Sequence, residues 1–371
     1  MKAKSFLYLA GLLFLGALDL QAQSPSIVST CPGQNELNVM PDREISVVFD
    51  TLMDENTIND STFIVMSRLE GRVHGTTSYD HGTKTAAFTP TGEFIIGDMV
   101  QVVLTGAILS VGGIPLNSGY TWSFTIGVLR ASEGLFIYDT AYSFGARSKS
   151  IIAGKLDNNY GLDLATNNVS VLFNDGNGYF IPDSIYEPAG PSKMVYSADL
   201  DNDYDLDLAV ASPYNQSDSV LILLNDGNGA FSRHDVHRAG NSPFSMAGAD
   251  MDCDGDIDLV AAVFFEEKYS IFLNNGDGSF AAPIFYETGA GPAWQIYAAD
   301  LNNDGAIDLA LATEEIAIFF NNGDATFSGP MLYPAAGDPN YVYSSDLNGD
   351  GSMDLIAADN GSNDILSLIH I

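Results

Sequence analysis

The sequence predicts an all-β chain in which an N-terminal β-sandwich is followed by an incomplete β-propeller. A ten-residue acidic string occurs five times, at steps of 44, 51, 50 and 46 residues. A glycine-rich turn marker alternates with it. The residues before the first string show strands and turns but no repeat. Fixed periods of about 20 to 50 residues are typical of repeat folds such as propellers.

The N-terminus is predicted to be a secretory signal peptide over residues 1–22. Lys2 and Lys4 precede an apolar stretch from Phe6 to Leu18, and the small residue Ala22 marks the expected cleavage point. This stretch is shorter than the ~20 residues that cross a bilayer, and no second one follows. We therefore expect a secreted, extracellular or cell-surface protein without a membrane span.

Residues 23–128 are predicted to form the β-sandwich. Strands are expected at 44–49, 99–104 and 120–126, with turns at 41–42, 112–113 and 117–119. Three segments resemble the bacterial Ig-like family of surface-layer (SbsA-type) proteins: PSIVSTCPGQNELNVMPDREISVVFDTLMDENTI, AAFTPTGEFIIGDMVQVVLTG and GYTWSFTI. The resemblance implies an Ig-like domain that acts as a spacer or presentation module.

Two markers define each repeat. The acidic strings are KLDNNYGLDL, DLDNDYDLDL, DMDCDGDIDL, DLNNDGAIDL and DLNGDGSMDL, beginning at Lys155, Asp199, Asp250, Asp300 and Asp346. The second markers are NDGNGYF, NDGNGAF, NNGDGSF and NNGDATF, beginning at Asn174, Asn225, Asn274 and Asn321. Asn-Gly and Asp-Gly steps between short apolar runs such as 206–210, 219–224 and 270–273 favour hairpins. Each unit is therefore expected to be a small antiparallel sheet of the size of a propeller blade.

Residues 133–365 provide four blades and part of a fifth, so we expect an open ring. The phenylalanines after each second marker are predicted to pack between blades: Phe180, Phe231, Phe280 and Phe327. Residues 366–371 break the repeat and match the translation of a DNA-library adapter. We expect them to be a non-native tail.

The acidic string has the spacing of a calcium-binding loop. Calcium takes six to eight oxygen ligands, so a loop must turn several carboxylates and a carbonyl around one point. In the third string the predicted ligands are the side chains of Asp250, Asp252, Asp254 and Asp258, and Gly255 permits the turn. An EF-hand is excluded because the twelfth loop position is apolar and no helix is predicted on either side.

These paired markers resemble the FG-GAP or VCBS repeat, the blade type of integrin α-chain propellers and many exported bacterial proteins. The resemblance implies Ca²⁺ in the loop between the first two strands of a blade. It extends the ligand set to the second, fourth and fifth strings: Asp199, Asp201, Asp203 and Asp207; Asp300, Asn302, Asp304 and Asp308; Asp346, Asn348, Asp350 and Asp354. The first string begins with Lys155, whose ammonium repels a cation, so we expect that site to be weak or empty.

Charge and cysteine content narrow the function. The net charge of −34 disfavours nucleic acid and anionic membranes as partners. Only Cys31 and Cys253 are present, in different predicted domains, so metal rather than disulfides is expected to stabilise the chain. His234 and His237 are three apart on a predicted strand and cannot share a metal. No catalytic or organic-cofactor motif is found, and we predict that the protein is not an enzyme.

The leading functional hypothesis is a calcium-binding adhesion protein whose propeller binds an extracellular glycan or protein. The alternative is the accessory N-terminal part of a larger secreted polysaccharide-degrading enzyme, and a third possibility is a passive spacer. Chelation is expected to destabilise the propeller. It should leave the Ig-like domain, which lacks acidic loops, nearly unchanged.

Overall fold

A computed structural model describes residues 24–116, 119–127, 148–159, 161–185, 192–212, 218–335, 337–362 and 365–370. The predicted signal peptide and the predicted start of the first blade, from 133 to 147, lie outside these residues. The described parts contain strands and two short 3₁₀ turns, Glu55–Thr57 and Phe264–Glu266. No helix in them is long and apolar enough to cross a membrane.

The N-terminal sandwich has two packed sheets, and the predicted strands at 44–49, 99–104 and 120–126 are present. The first sheet has the order β1-β3-β7-β6, formed by β1 (Ile27–Cys31), β3 (Ile45–Phe49), β7 (Thr85–Pro90) and β6 (Gly75–Asp80). The second has the order β2-β9-β8-β4-β5, formed by β2 (Glu36–Val39), β9 (Tyr120–Ile126), β8 (Met99–Leu104), β4 (Phe63–Ser67) and β5 (Gly71–Arg72). Phe49, Phe63, Trp122 and Phe124 fill the core between the sheets.

Five further sheets follow in chain order, each built from consecutive antiparallel strands. Blade one has β10 (Ile151–Gly154), β11 (Asp163–Thr166), β12 (Ser170–Asn174) and β13 (Phe180–Ile185). Blade two has β14 (Met194–Ala198), β15 (Asp207–Ser212), β16 (Ser219–Asn225) and β17 (Phe231–Arg238). Blade three has β18 (Pro243–Ala249), β19 (Asp258–Val263), β20 (Lys268–Phe272) and β21 (Ile284–Glu287). Blade four has β22 (Gln295–Ala299), β23 (Asp308–Ala312), β24 (Ile316–Asn321) and β25 (Phe327–Tyr333). Blade five has β26 (Pro339–Ser345), β27 (Asp354–Asp359) and β28 (Ile365–Leu368).

Neighbouring blades share apolar cores. Separate clusters join blades one and two, two and three, three and four, and four and five. Phe231 and Phe280 are buried in these clusters and Phe327 packs against one, as the repeat pattern predicts. Among the described residues no such cluster joins blade five to blade one, and the open ring stays a prediction.

In blades two to four, the first asparagine of the second marker links its blade to the blade before it. Asn274 Nδ2 donates to Ile257 O in its own blade at 3.0 Å and to Leu200 O in blade two at 2.9 Å. Asn225 makes the corresponding pair of bonds between blades two and one, and Asn321 makes it between blades four and three. Both carbonyls are thereby satisfied away from water, which a buried peptide group requires. The marker is therefore an inter-blade link as well as a turn.

The fifth blade includes part of the segment predicted to be foreign. β28 pairs with β27 in register, and His370 N donates to Asp354 Oδ1 at 2.7 Å. The first asparagine of the second marker makes this bond in the other blades. The segment thus occupies the place of a third strand, while its foreign origin stays a prediction.

Candidate metal centres

The five acidic loops are 155–163, 199–207, 250–258, 300–308 and 346–354, numbered one to five. Each joins the first two strands of its blade, where the repeat pattern predicts it. In loop three the backbone is left-handed at Cys253 (φ 59°) and Gly255 (φ 102°). The same two positions are left-handed in loops two, four and five. These two positions reverse the direction of the chain within each of the four loops.

The first aspartate of a loop accepts hydrogen bonds from the loop's own backbone. Asp250 Oδ1 accepts from Asp254 N at 3.2 Å, and Oδ2 accepts from Gly255 N at 2.9 Å. Asp300 and Asp346 accept in the same way from the fifth and sixth residues of their loops. These N–H groups shape the loop, and the carboxylate retains lone pairs directed toward its neighbours.

The last aspartate of each loop ties the loop to the rest of the blade. Asp258 Oδ2 accepts from Met251 N at 2.9 Å, and Oδ1 accepts from Asn274 N at 2.9 Å. Asp163, Asp207, Asp308 and Asp354 make the corresponding pairs of bonds. All five side chains are buried. This position therefore has a structural role in every loop, including loop one.

Two loops bring three carboxylates within 4.8 Å of one another. They are Asp199, Asp201 and Asp207 in loop two, and Asp250, Asp252 and Asp254 in loop three. Asp199 Oδ1 and Asp252 Oδ1 are buried and accept no hydrogen bond. A buried carboxylate oxygen without a donor is costly, because neither water nor protein compensates its charge.

Burial raises the pKa values of these carboxyl groups. It raises the pKa of Asp207 to about 8, against the opposing effect of the amides of Asn225 and Leu200. It raises the pKa of Asp308 to about 7, and those of Asp199 and Asp300 to about 6. The pKa values of Asp250 and Asp258 lie well above their usual range because of burial and neighbouring carboxylates, against the opposing effect of the backbone amides that donate to them. When the carboxyl groups of a loop are ionised, the nearby protein groups therefore do not compensate their negative charge.

The donor set fits a hard divalent cation. Loops two and three offer carboxylate oxygens, two of them buried without donors, and loops four and five add the amide oxygens of Asn302 and Asn348. All-oxygen sets of this kind suit calcium, whereas zinc and copper sites use histidine or cysteine. Cys253 in loop three packs toward Gly119 of the sandwich. The residues present thus fit calcium.

Loop one contacts the sandwich through its lysine. Lys155 Nζ pairs with Glu70, and Lys155 N donates to Leu69 O at 2.8 Å. Asp157 Oδ1 and Oδ2 accept from the backbone and side chain of Asn159. The lysine that makes a cation site doubtful is therefore an ion-pair partner of the N-terminal domain.

The other four loops also contact the sandwich. In loop two, Arg72 Nη1 donates to Asn202 Oδ1 at 2.8 Å, and His74 stacks on Tyr204 with ring centres 3.9 Å apart. Contacts to loops three to five come from Ile64 against Gly255, Thr121 N to Gly305 O at 2.8 Å, and Asn35 Nδ2 to Gly351 O at 3.0 Å. The acidic loops together form a seat for the sandwich.

The seat explains why Tyr204 stands where the other complete loops have glycine. Its φ of 78° is strained for a residue that carries a Cβ. Its ring gains a stacked imidazole and the nearby Arg72 guanidinium, 5.7 Å from the ring centre. The sequence predicts neither the seat nor the inter-blade asparagines, because both link segments that are distant along the chain. The departures at Lys155 and Tyr204 were the available signal.

Comparison with known proteins supports the two-part architecture. Residues 21–126 match the model of a bacterial Ig-like domain, and residues 199–261 and 250–311 match that of an FG-GAP-like repeat. No curated protein matches the chain.

Several solved structures are similar at low identity. An Agrocybe aegerita lectin that recognises non-reducing terminal N-acetylglucosamine is 17% identical over 85% of this chain and 93% of that one, with a TM-score of 0.45. A Photorhabdus luminescens Tc holotoxin pore is 18% identical over 90% and 15%, with a TM-score of 0.37. The N-terminal part of the bacterial S-layer protein SbsC is 15% identical over 57% and 43%, with a TM-score of 0.23.

Proposed function

Since the chain carries a bacterial Ig-like domain followed by FG-GAP-like repeats, we propose that it is a secreted or cell-surface binding protein. Its acidic loops hold calcium, and the propeller presents a binding surface for an extracellular glycan or protein. The Ig-like domain is held by the loops as a fixed spacer.

The observation that carries this proposal is the position of the acidic loops beneath the sandwich. Each loop contacts the N-terminal domain, and loops two and three also cluster carboxylates. Calcium bound there supplies the positive charge that the carboxylates lack. Asp250 and Asp252 would bind it through side-chain oxygens, and Asp258 would keep the loop attached to its blade. A loop fixed in this way keeps its seat residues in place.

The binding surface is proposed at the opposite end of the blades. The first strand of a blade runs toward its acidic loop, so the sandwich covers the end where these strands finish. The end where they begin does not carry the seat. In propellers, exposed loops on a rigid scaffold commonly carry binding residues.

We propose that the described part of the chain is not catalytic. Its clustered carboxylates lie in loops where they accept backbone hydrogen bonds, and burial followed by repulsion from neighbouring carboxylates raises the pKa of Asp250. That arrangement suits a metal site, whereas a glycosidase needs two carboxyl groups about 5–9.5 Å apart with different pKa values.

The test is binding by the full-length chain in calcium. A glycan array and a pull-down on intact cells should each be run with and without chelator. Calcium-dependent capture in either assay supports the proposal. Blank results in both, with the calcium-loaded protein folded, would remove the binding function.

A further inference from the structure

Successive blades place their lysines and aromatic residues at one equivalent position. The blades can be aligned through the pairing of their first two strands. In blades two to four, the third residue after the last loop aspartate lies on the second strand and pairs with one residue of the first strand. These pairs are Val195 with Val210, Met246 with Ala261, and Ile296 with Leu311. In blade one, Ile151 pairs with the corresponding Thr166. Two positions earlier stand Lys149, Lys193, Phe244 and Trp294. We call these four residues the lysine-aromatic arc.

Three members of the arc touch one another in blade order. Lys193 Nζ lies 3.8 Å from the ring centre of Phe244. The rings of Phe244 and Trp294 are 5.6 Å apart and nearly perpendicular, at 86°. Phe264 extends the cluster, with its ring centre 4.3 Å from that of Trp294 and 5.1 Å from that of Phe265. Phe265 is 67% exposed, so the cluster reaches solvent.

The arc also concentrates positive charge. Lys149 is exposed and lies close enough to Lys193 to affect its titration. Burial, followed by this neighbouring ammonium, lowers the pKa of Lys193 to about 8. The whole chain has 14 basic residues against 48 acidic ones, so two adjacent lysines are an unusual local charge. An anion placed between them would relieve their repulsion.

The arc lies far from the candidate calcium sites. Lys193 precedes β14 and Asp199 follows it, so the two are separated by roughly 20 Å of extended strand. The sandwich is seated at the loop end. The arc therefore lies at the opposite end of the blades from the seat.

We infer that the lysine-aromatic arc binds an acidic saccharide of the hexuronate class. The lysines pair with the sugar carboxylate, and the C–H face of the pyranose ring packs on Trp294 and Phe244. This inference deepens the proposed binding function and rests on it.

The geometry favours a saccharide over other anionic partners. The net charge of −34 repels long polyanions such as nucleic acids, whereas a short arc can hold one or two sugar residues. The arc lies where strands begin, not along a free strand edge, and so offers no row of backbone groups to an extended peptide. Flat aromatic rings beside cations match a ring with apolar C–H groups and one carboxylate.

Tryptophan fluorescence provides a direct assay. The chain has two tryptophans, and Trp122 is 1% exposed in the sandwich core. A fluorescence change on ligand addition therefore reports Trp294. The probe is a galacturonic acid oligomer added to the calcium-loaded full chain, and its methyl ester is the uncharged control. We expect the acid to bind, added salt to weaken it, and the ester to bind at least about tenfold more weakly.

Matched variants locate the site. Lys193→Gln should weaken binding about tenfold, whereas Lys268→Gln, on β20 of blade three, should leave it unchanged. Trp294→Ala, followed by calorimetry, should weaken it at least about tenfold, and Phe285→Ala on the outer strand should not. Calcium uptake and melting temperature measured on the same samples distinguish a lost arc from a misfolded protein.

The proposal fails if the calcium-loaded protein does not bind the acid oligomer, or if Lys193→Gln and Trp294→Ala bind as the parent does. Equal binding of an oligoglutamate would also overturn it, because the saccharide would then be unnecessary. In each of these outcomes, calcium-dependent capture of cells or other glycans could still succeed, so the broader binding function is judged separately.

Discussion

Replacing Gly255 by alanine tests whether the acidic loops form the seat of the Ig-like domain. Gly255 has φ 102°, and a Cβ there would overlap Ile64 Cδ1 of the sandwich. Gly351 is the matched control, because it has the same place in loop five, φ 89°, and no atom within 4 Å of its Cβ position. Both alanines therefore meet the left-handed backbone penalty of about 1–2 kcal/mol.

Only Gly255→Ala must also displace a buried side chain. Overpacking of this kind costs about 1–3 kcal/mol, so Gly255→Ala should be the less stable variant by that amount. Thermal unfolding in saturating calcium measures the difference, which is about 2–4 °C per kcal/mol for a unit of this size. Equal melting temperatures for the two variants would refute the packing of Ile64 on loop three.

Two further predictions concern the blades. Asn274→Ala removes hydrogen bonds to two carbonyls in different blades and should lower the free energy of unfolding by about 2–4 kcal/mol. Asn275 is exposed beside it, so Asn275→Ala should lower it by less than about 1 kcal/mol. Similar losses of stability in the two variants, measured by thermal unfolding, would contradict the inter-blade link. In chelator, the free energy of unfolding should fall as pH rises from about 4 to 8. Asp207 (pKa about 8) and Asp308 (pKa about 7) keep their protons in the folded state over this range, whereas the unfolded chain has released them. Calcium should remove this trend, and a stability that rises with pH in chelator would oppose the raised pKa values.

The repeats could be predicted because their signals are local. The acidic strings and second markers fix the turns between strands, and the family matches confirm the order of an Ig-like domain followed by FG-GAP-like repeats. The left-handed sixth position of a loop follows from its glycine, as at Gly255, and the strain at Tyr204 is visible from its replacement of that glycine; the left-handed fourth position carries no such signal in loops two to four. Phe231 and Phe280 occupy the same position of the repeat, at the end of the second marker, and both pack between blades.

The seat could not be predicted, because Ile64 and Gly255 are distant in sequence and neither carries a local signal for the other. The two departures from the repeat, Lys155 and Tyr204, are both contacts to the sandwich. If the loops are considered only as calcium sites, these two residues count as departures from the calcium-binding pattern and have no role of their own. The seat also revises one expectation: since the loops contact the Ig-like domain, we now expect chelation to loosen its attachment as well as to destabilise the propeller.

Calorimetric titration of the metal-free full chain with calcium tests the central claim most directly. We predict uptake by loops two to five. Each site should add about 2.7 kcal/mol of stability at a hundredfold excess over its Kd. Asp254→Ala should remove one site and lower the melting temperature in calcium, whereas Asp157→Ala in loop one should leave uptake unchanged. Absence of calcium uptake, with identical melting curves in calcium and in chelator, would contradict the account.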